Sequence, residues 1–184
     1  MRKHLRTLLA GVAVTAIAGV AYADSPHFIS ASDAIITTDG PAGTDLGDLV
    51  VSWKEAGLGN NVVIDYTAAA NGTAEYACIN NGGNHPQASN KETVNGPVSA
   101  SGAFSSGMNG QITASLTAEE PGPGNFSCPN GQSFVLASVS YTDVSITDET
   151  TTGHPSESLP DLSHIFCDLN NLTKATVKNC APVD

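Results

Sequence analysis

The feature that most constrains this chain is a two-residue alternation of apolar and polar side chains, repeated in short runs. In Gly110 to Ala118, GQITASLTA, the residues Ile112, Ala114, Leu116 and Ala118 share one parity and Gln111, Thr113, Ser115 and Thr117 the other. Successive side chains of a strand point to opposite faces, so this pattern predicts a strand with one wet face. Pro97 to Phe104 repeats it with Val98, Ala100 and Phe104 inward. The intervening Ser105-Ser-Gly-Met-Asn-Gly110 ends on an Asn-Gly pair, a hairpin signal. Asp48 to Lys54 places Leu49, Val51 and Trp53 on one face, and Asn61 to Thr67 places Val62, Ile64 and Tyr66 on one face. Glu55 to Asn60 supplies the turn between them.

A second turn is expected at Ala70-Asn-Gly-Thr73, before Ala74, Tyr76 and Cys78. Phe28 to Thr37 reads as the first strand. The longest run, Ser133 to Thr147, aligns Val135, Ala137, Val139 and Tyr141, whereas Val144 and Ile146 take the other parity. A bulge or bend near Thr142-Asp143 would account for that phase change. Sustained helical periodicity is absent before the C-terminal segment, where Leu159, Leu162, Ile165, Phe166 and Leu169 could line a short helix. The expected fold is therefore all-β: an antiparallel β-sandwich of about eight strands, with a short irregular or helical C-terminal segment. A closed barrel is the rival arrangement.

The N-terminus sets the expected compartment. Arg2, Lys3 and Arg6 precede an apolar run from Leu8 to Ala21, and Ala21-Tyr22-Ala23 fits the small-x-small rule for signal cleavage. That run is shorter than the roughly 18 residues a membrane span needs. Residues 1–23 are thus expected to be a signal peptide, 24–149 the sandwich domain, and 150–184 a flexible connection and a disulfide-containing tail. Removing 23 of the 184 residues leaves 161, with four Lys against 18 acidic groups and a net charge near −14. So acidic a surface repels nucleic acid and anionic lipid, which excludes both as partners of the mature form.

Cys78, Cys128, Cys167 and Cys180 form an even set in an exported chain, which reads as two disulfides with three possible connectivities. Cys78 shares the inward parity of Tyr76 and Ala74, and Cys128 stands in a comparable turn, which favours Cys78–Cys128 with Cys167–Cys180. Cys78, His85 and Cys128 could instead bind zinc, but their spacing fits no usual zinc pattern. Asp39, Asp45 and Asp48 lie in a Gly-rich loop with ligands suited to calcium, without the acidic ladder of an EF-hand. They are weak calcium candidates, as against ordinary solvated carboxylates. Asp143, Asp148 and Glu149 make a looser acidic group of the same kind.

No nucleophile elbow, zinc-protease helix or phosphate-binding glycine loop is present, and no catalytic residue or cofactor is expected. Aromatic residues, at 5%, are too few for an obvious sugar-stacking platform. Asn71, Asn125 and Asn171 head sequons that matter only in a glycosylating host.

The segments CINNGGNHPQASNKETVNGPVSASGAFSSGMNGQITASL and FSCPNGQSFVLASVSYTDVSITD resemble a family of small secreted proteins of actinobacteria and filamentous fungi. The resemblance covers roughly residues 25–148 and implies export and a β-rich fold, but no activity. In that pattern a cysteine often stands where this chain has His85, which implies a different local pairing. The expected function is a secreted, non-enzymatic interaction or surface-associated module whose partner is an extracellular protein or a glycan. A secreted hydrolase with paired carboxylates and a small inhibitor or effector are the alternatives.

Overall fold

The computed structural model describes residues 25–38, 45–80, 90–172 and 180–182. Residues 1–23, where a signal peptide is expected, Asp39, His85 and most of the loop after Cys78 lie outside the described residues. Two antiparallel sheets face each other. The smaller has the order β1-β2-β5, formed by His27–Ile35, Leu49–Ala56 and Gln111–Ala118. The larger has the order β4-β3-β6-β7, formed by Lys91–Ser105, Val63–Asn80, Gln132–Asp148 and Ser156–Ser158. Two further short strands, β8 (Leu162–Ile165) and β9 (Ala181–Pro182), also pair with β6. This is the expected β-sandwich, with no α-helix among the described residues.

The alternation accounts for the core. Along β2 the buried positions are Leu49, Val51, Trp53 and Glu55, with half-buried residues between them. They meet Ile64, Tyr66, Ala68, Tyr76, Val139 and Tyr141 from the larger sheet. Leu58 in the β2–β3 link closes one end. Residues 105–110 do not form a hairpin, because β4 and β5 belong to different sheets. They cross between the layers through a 3₁₀ turn at Gly107–Asn109, with Gly110 at φ 66°. Ser106, fully buried, fixes the crossing: its Oγ donates to the Gly59 carbonyl at 2.7 Å and accepts from Val62 N at 3.0 Å.

The turn expected at Ala70–Thr73 is also absent; β3 runs through it as one 18-residue strand. Gly72 is there for space, since a Cβ would sit 2.7 Å from Pro121 Cγ and 3.2 Å from the Tyr141 ring. The irregularity lies in β6 instead. Ala69 pairs with Ser145 but Asn71 pairs with Thr142, leaving Asp143 and Val144 opposite Ala70. Asp143 takes φ 54° and accepts a hydrogen bond from Asn71 Nδ2 at 3.0 Å. This is the phase change expected near Thr142-Asp143.

A second bulge was not foreseen. Glu75 pairs with Ser138 and Tyr76 with Leu136, so Ala137 is the extra residue. Val135 and Ala137 therefore leave the face shared by Val139 and Tyr141. With Ala77, Ile79, Cys167, Leu169, Leu172 and Cys180 they build a second buried cluster. The Ala137 carbonyl anchors the C-terminal segment by accepting from Phe166 N at 2.8 Å and Cys167 N at 3.0 Å. The segment first extends the edge of the larger sheet through β7 and β8, and from Cys167 on it lies irregularly over that sheet's outer face as a third layer. Leu162 to Ile165 is a strand with alternating burial, and Leu159, Leu162 and Phe166 pack on the main core.

Candidate functional site

Both disulfides are present, Cys78–Cys128 and Cys167–Cys180, and no free cysteine is found among the described residues. Cys78 opposes Phe134 at the end of β3, and the bridge ties the 119–131 loop over the sandwich mouth. Phe126 in that loop packs edge-on against Phe134 at 5.8 Å, and Phe134 meets Tyr76 at 5.5 Å. The sulfurs of Cys78 and Cys128 are consumed by their bond, which removes the zinc reading.

The calcium reading fares no better among the described residues. Asp45 is exposed, and its backbone N donates to Asp48 Oδ2 at 2.8 Å. Asp48 turns inward and is 1% exposed. No group of three or more His, Cys, Asp and Glu converges there or elsewhere among the described residues.

Asp48 faces Glu120 instead. The Asp48 carboxyl group is close enough to act on Glu120, and Asp48 Oδ1 has no hydrogen-bond partner. Burial, followed by the Asp48 carboxyl, pushes Glu120 above the usual carboxylate range. Tyr76 Oη donates toward Glu120 Oε1 at 3.0 Å and toward the Pro121 carbonyl at 2.9 Å. Tyr141 Oη donates to the Gly47 carbonyl at 2.6 Å.

At the opposite end of β2, about 23 Å away at the usual rise per residue, stands a second group. Glu55 is 0% exposed, and its Oε2 accepts from Tyr66 Oη at 2.7 Å. Its Oε1 has no partner. Burial raises its pKa to about 7, opposed by the Tyr66 bond and aided by the nearby Asp148 carboxylate. Tyr66 is pushed well above the usual phenol range, chiefly by burial. Asp148, also fully buried, accepts from Thr150 N at 2.8 Å, Thr151 N at 2.9 Å and Thr151 Oγ1 at 2.6 Å. It therefore closes a turn. Asp33, half-buried on the inward parity of β1, has its Oδ2 unpartnered and its pKa raised by burial.

Glycoside hydrolysis needs two carboxyl groups about 5–9.5 Å apart with a sugar between them. Asp48, Glu55 and Asp148 are all sealed from solvent, so no sugar reaches a pair of them. Sequence reasoning missed Glu55 by ending its strand at Lys54; the same parity carried two residues further points Glu55 inward. The Val144 and Ile146 parity likewise leads to Asp148.

The outer face of the smaller sheet is different in kind. Ser30, Ser32, Ser52, Lys54, Thr113 and Ser115 line a shallow depression of about 460 Å³. Register places them in two rows across the strands, Ser30–Lys54–Thr113 and Ser32–Ser52–Ser115. Lys54 is one of two cations among the described residues, the other being Lys91. Short hydroxyls that donate and accept, around one ammonium, can hydrogen-bond a polar ligand without displacing any core residue. No described helix is long and apolar enough to cross a membrane. Comparison of the chain with known protein families, with curated proteins and with solved structures finds no match.

Proposed function

We propose that the chain is exported and acts as an extracellular, non-enzymatic binding module, with the outer face of β1-β2-β5 as its contact surface. The observation that carries this reading is the hydroxyl-lined depression around Lys54, set against inward carboxylates that no substrate reaches. Two disulfides, stable in oxidising compartments, and the leader-like residues 1–23 support export. The resemblance to small secreted proteins supports it further. The partner is a neutral, hydroxyl-rich polymer, because a mature charge near −14 repels polyanions and Trp53, the one aromatic residue lining the depression, turns its ring into the core against Tyr66 and Phe104.

Protein recovered from culture medium provides the test. Its N-terminus should read Asp24-Ser-Pro, and it should be retained on insoluble neutral polysaccharide. Lys54→Ala combined with Thr113→Ala should reduce retention by roughly tenfold, the loss of one to two hydrogen bonds, with the unfolding midpoint unchanged. Recovery only as a membrane-bound form beginning at Met1 would refute export. Equal retention of wild type and variant would refute this contact surface.

A further inference from the structure

We propose that Glu55 is a buried proton-binding switch: the sandwich closes over the neutral acid and loosens when the proton leaves. The geometry comes first. Glu55 ends the inward row of β2 and is sealed between the sheets at 0% exposure. An ionised carboxylate there would need donors for both oxygens. One donor is present, the Tyr66 hydroxyl on Oε2, while Oε1 has none. The charged groups around it do not compensate. Asp148, from β6, is a second buried carboxylate and opposes ionisation. His27, from β1, favours it, but acts more weakly than Asp148 or the Tyr66 bond. Tyr66, from β3, is held protonated and can only donate.

The direction of the effect follows from linkage. Glu55 binds its proton more tightly in the folded chain, with a pKa of about 7, than in the unfolded chain, where a glutamate sits at its ordinary 4.5. Its contribution to stability is therefore fully present below about pH 4.5 and is lost as pH rises through about 7. Such a protein is firmest in mildly acidic surroundings and slackens in alkaline ones. Trp53 reports on the change because it is the only tryptophan, with its ring 4.7 Å from that of Tyr66.

The disulfide-intact protein should lose roughly 5–10 °C of Tm between about pH 5 and pH 8. Surface repulsion among the acidic residues gives a fall of the same sign, but high salt screens that part and leaves the buried part. Glu55→Gln keeps an acceptor for Tyr66 and removes the charge, so its Tm should fall much less over that range and exceed wild type at about pH 8. Trp53 emission should titrate near pH 7 in wild type and stay flat in Glu55→Gln. A wild-type Tm that is level or rising over the interval in high salt overturns the proposal. So does a Glu55→Gln profile parallel to wild type. Should that variant not fold, a wild-type Trp53 titration with no transition between about pH 5 and 8 overturns it alone.

Discussion

Trp53→Ala should destabilise the disulfide-intact protein by about 4 kcal/mol, near the upper end for a buried aromatic truncation. Trp53 is 2% exposed and packs at 4.7 Å on Tyr66 and edge-on at 5.3 Å against Phe104. Those two rings belong to β3 and β4, so the indole is the principal wedge from the smaller sheet into the larger. Its removal leaves a void bordered by strands whose hydrogen bonds prevent collapse. It also releases the Tyr66 ring, whose hydroxyl serves Glu55. Trp53→Phe, which keeps a ring, should cost about half as much. Urea unfolding followed by far-ultraviolet circular dichroism gives the comparison. A loss under about 1.5 kcal/mol would mean the two sheets do not depend on this wedge.

Cys78→Ser should have a comparable effect by a different route. The Cys78–Cys128 bridge spans 50 residues and restricts the unfolded chain by about 4 kcal/mol in the chain-entropy model. The measured loss should fall at about 2–4 kcal/mol, because residual structure in the unfolded chain reduces the entropic gain. Cys167–Cys180 spans 13 residues and should contribute about 3 kcal/mol or less. The two losses should also differ in place. Cys78→Ser frees the 119–131 loop, and with it Phe126, from the mouth of the main core. Cys167→Ser frees the third layer, so amide exchange should quicken at Phe166 and Cys167, which bond to the Ala137 carbonyl. Uniform quickening across β2 and β3 in Cys167→Ser would show that the layers unfold as one unit. Peptide mapping without reductant identifies the thiol left behind.

Much of the sandwich was legible because one wet face and one dry face leave a two-residue signature. β2, β4 and β5 carry it cleanly, and the bulge at Asp143 was visible as a slip in that signature. The failures have physical reasons. Asn71-Gly72 looks like a turn, yet Gly72 answers to the approach of Pro121, a contact 49 residues away in the chain. The Asn109-Gly110 pair does turn the chain, but into the opposite sheet, and local sequence does not distinguish the two destinations. Val135 and Ala137 were placed on the wrong face because the bulge at Ala137 hides inside an unbroken apolar run. The C-terminal segment could be helical or irregular by sequence, since Leu162 and Phe166 sit four apart, a spacing that also fits a short strand followed by a bend. As for the site, the acidic residues were treated as loop charges, and the two parities that direct Glu55 and Asp148 inward were followed one step too few. The serine and threonine rows were visible only as the polar half of each alternation; register alone brings them side by side.

The arrangement along β6 bears on how the protein avoids its own copies. A 17-residue strand with one bare edge is a template for another chain, because its backbone N–H and C=O groups stand unpaired in a row. Here the edge beyond β3 is occupied in three pieces: β7 against Ser145–Thr147, β8 against Ser138–Tyr141 and β9 against Val135–Leu136. Each piece is too short to recruit a partner of its own. The bulges at Ala137 and Asp143 break what would otherwise be a straight, continuous border. The segment after residue 150 thus works as a fitted cover against sheet-to-sheet aggregation, and the Cys167–Cys180 bond keeps that cover seated.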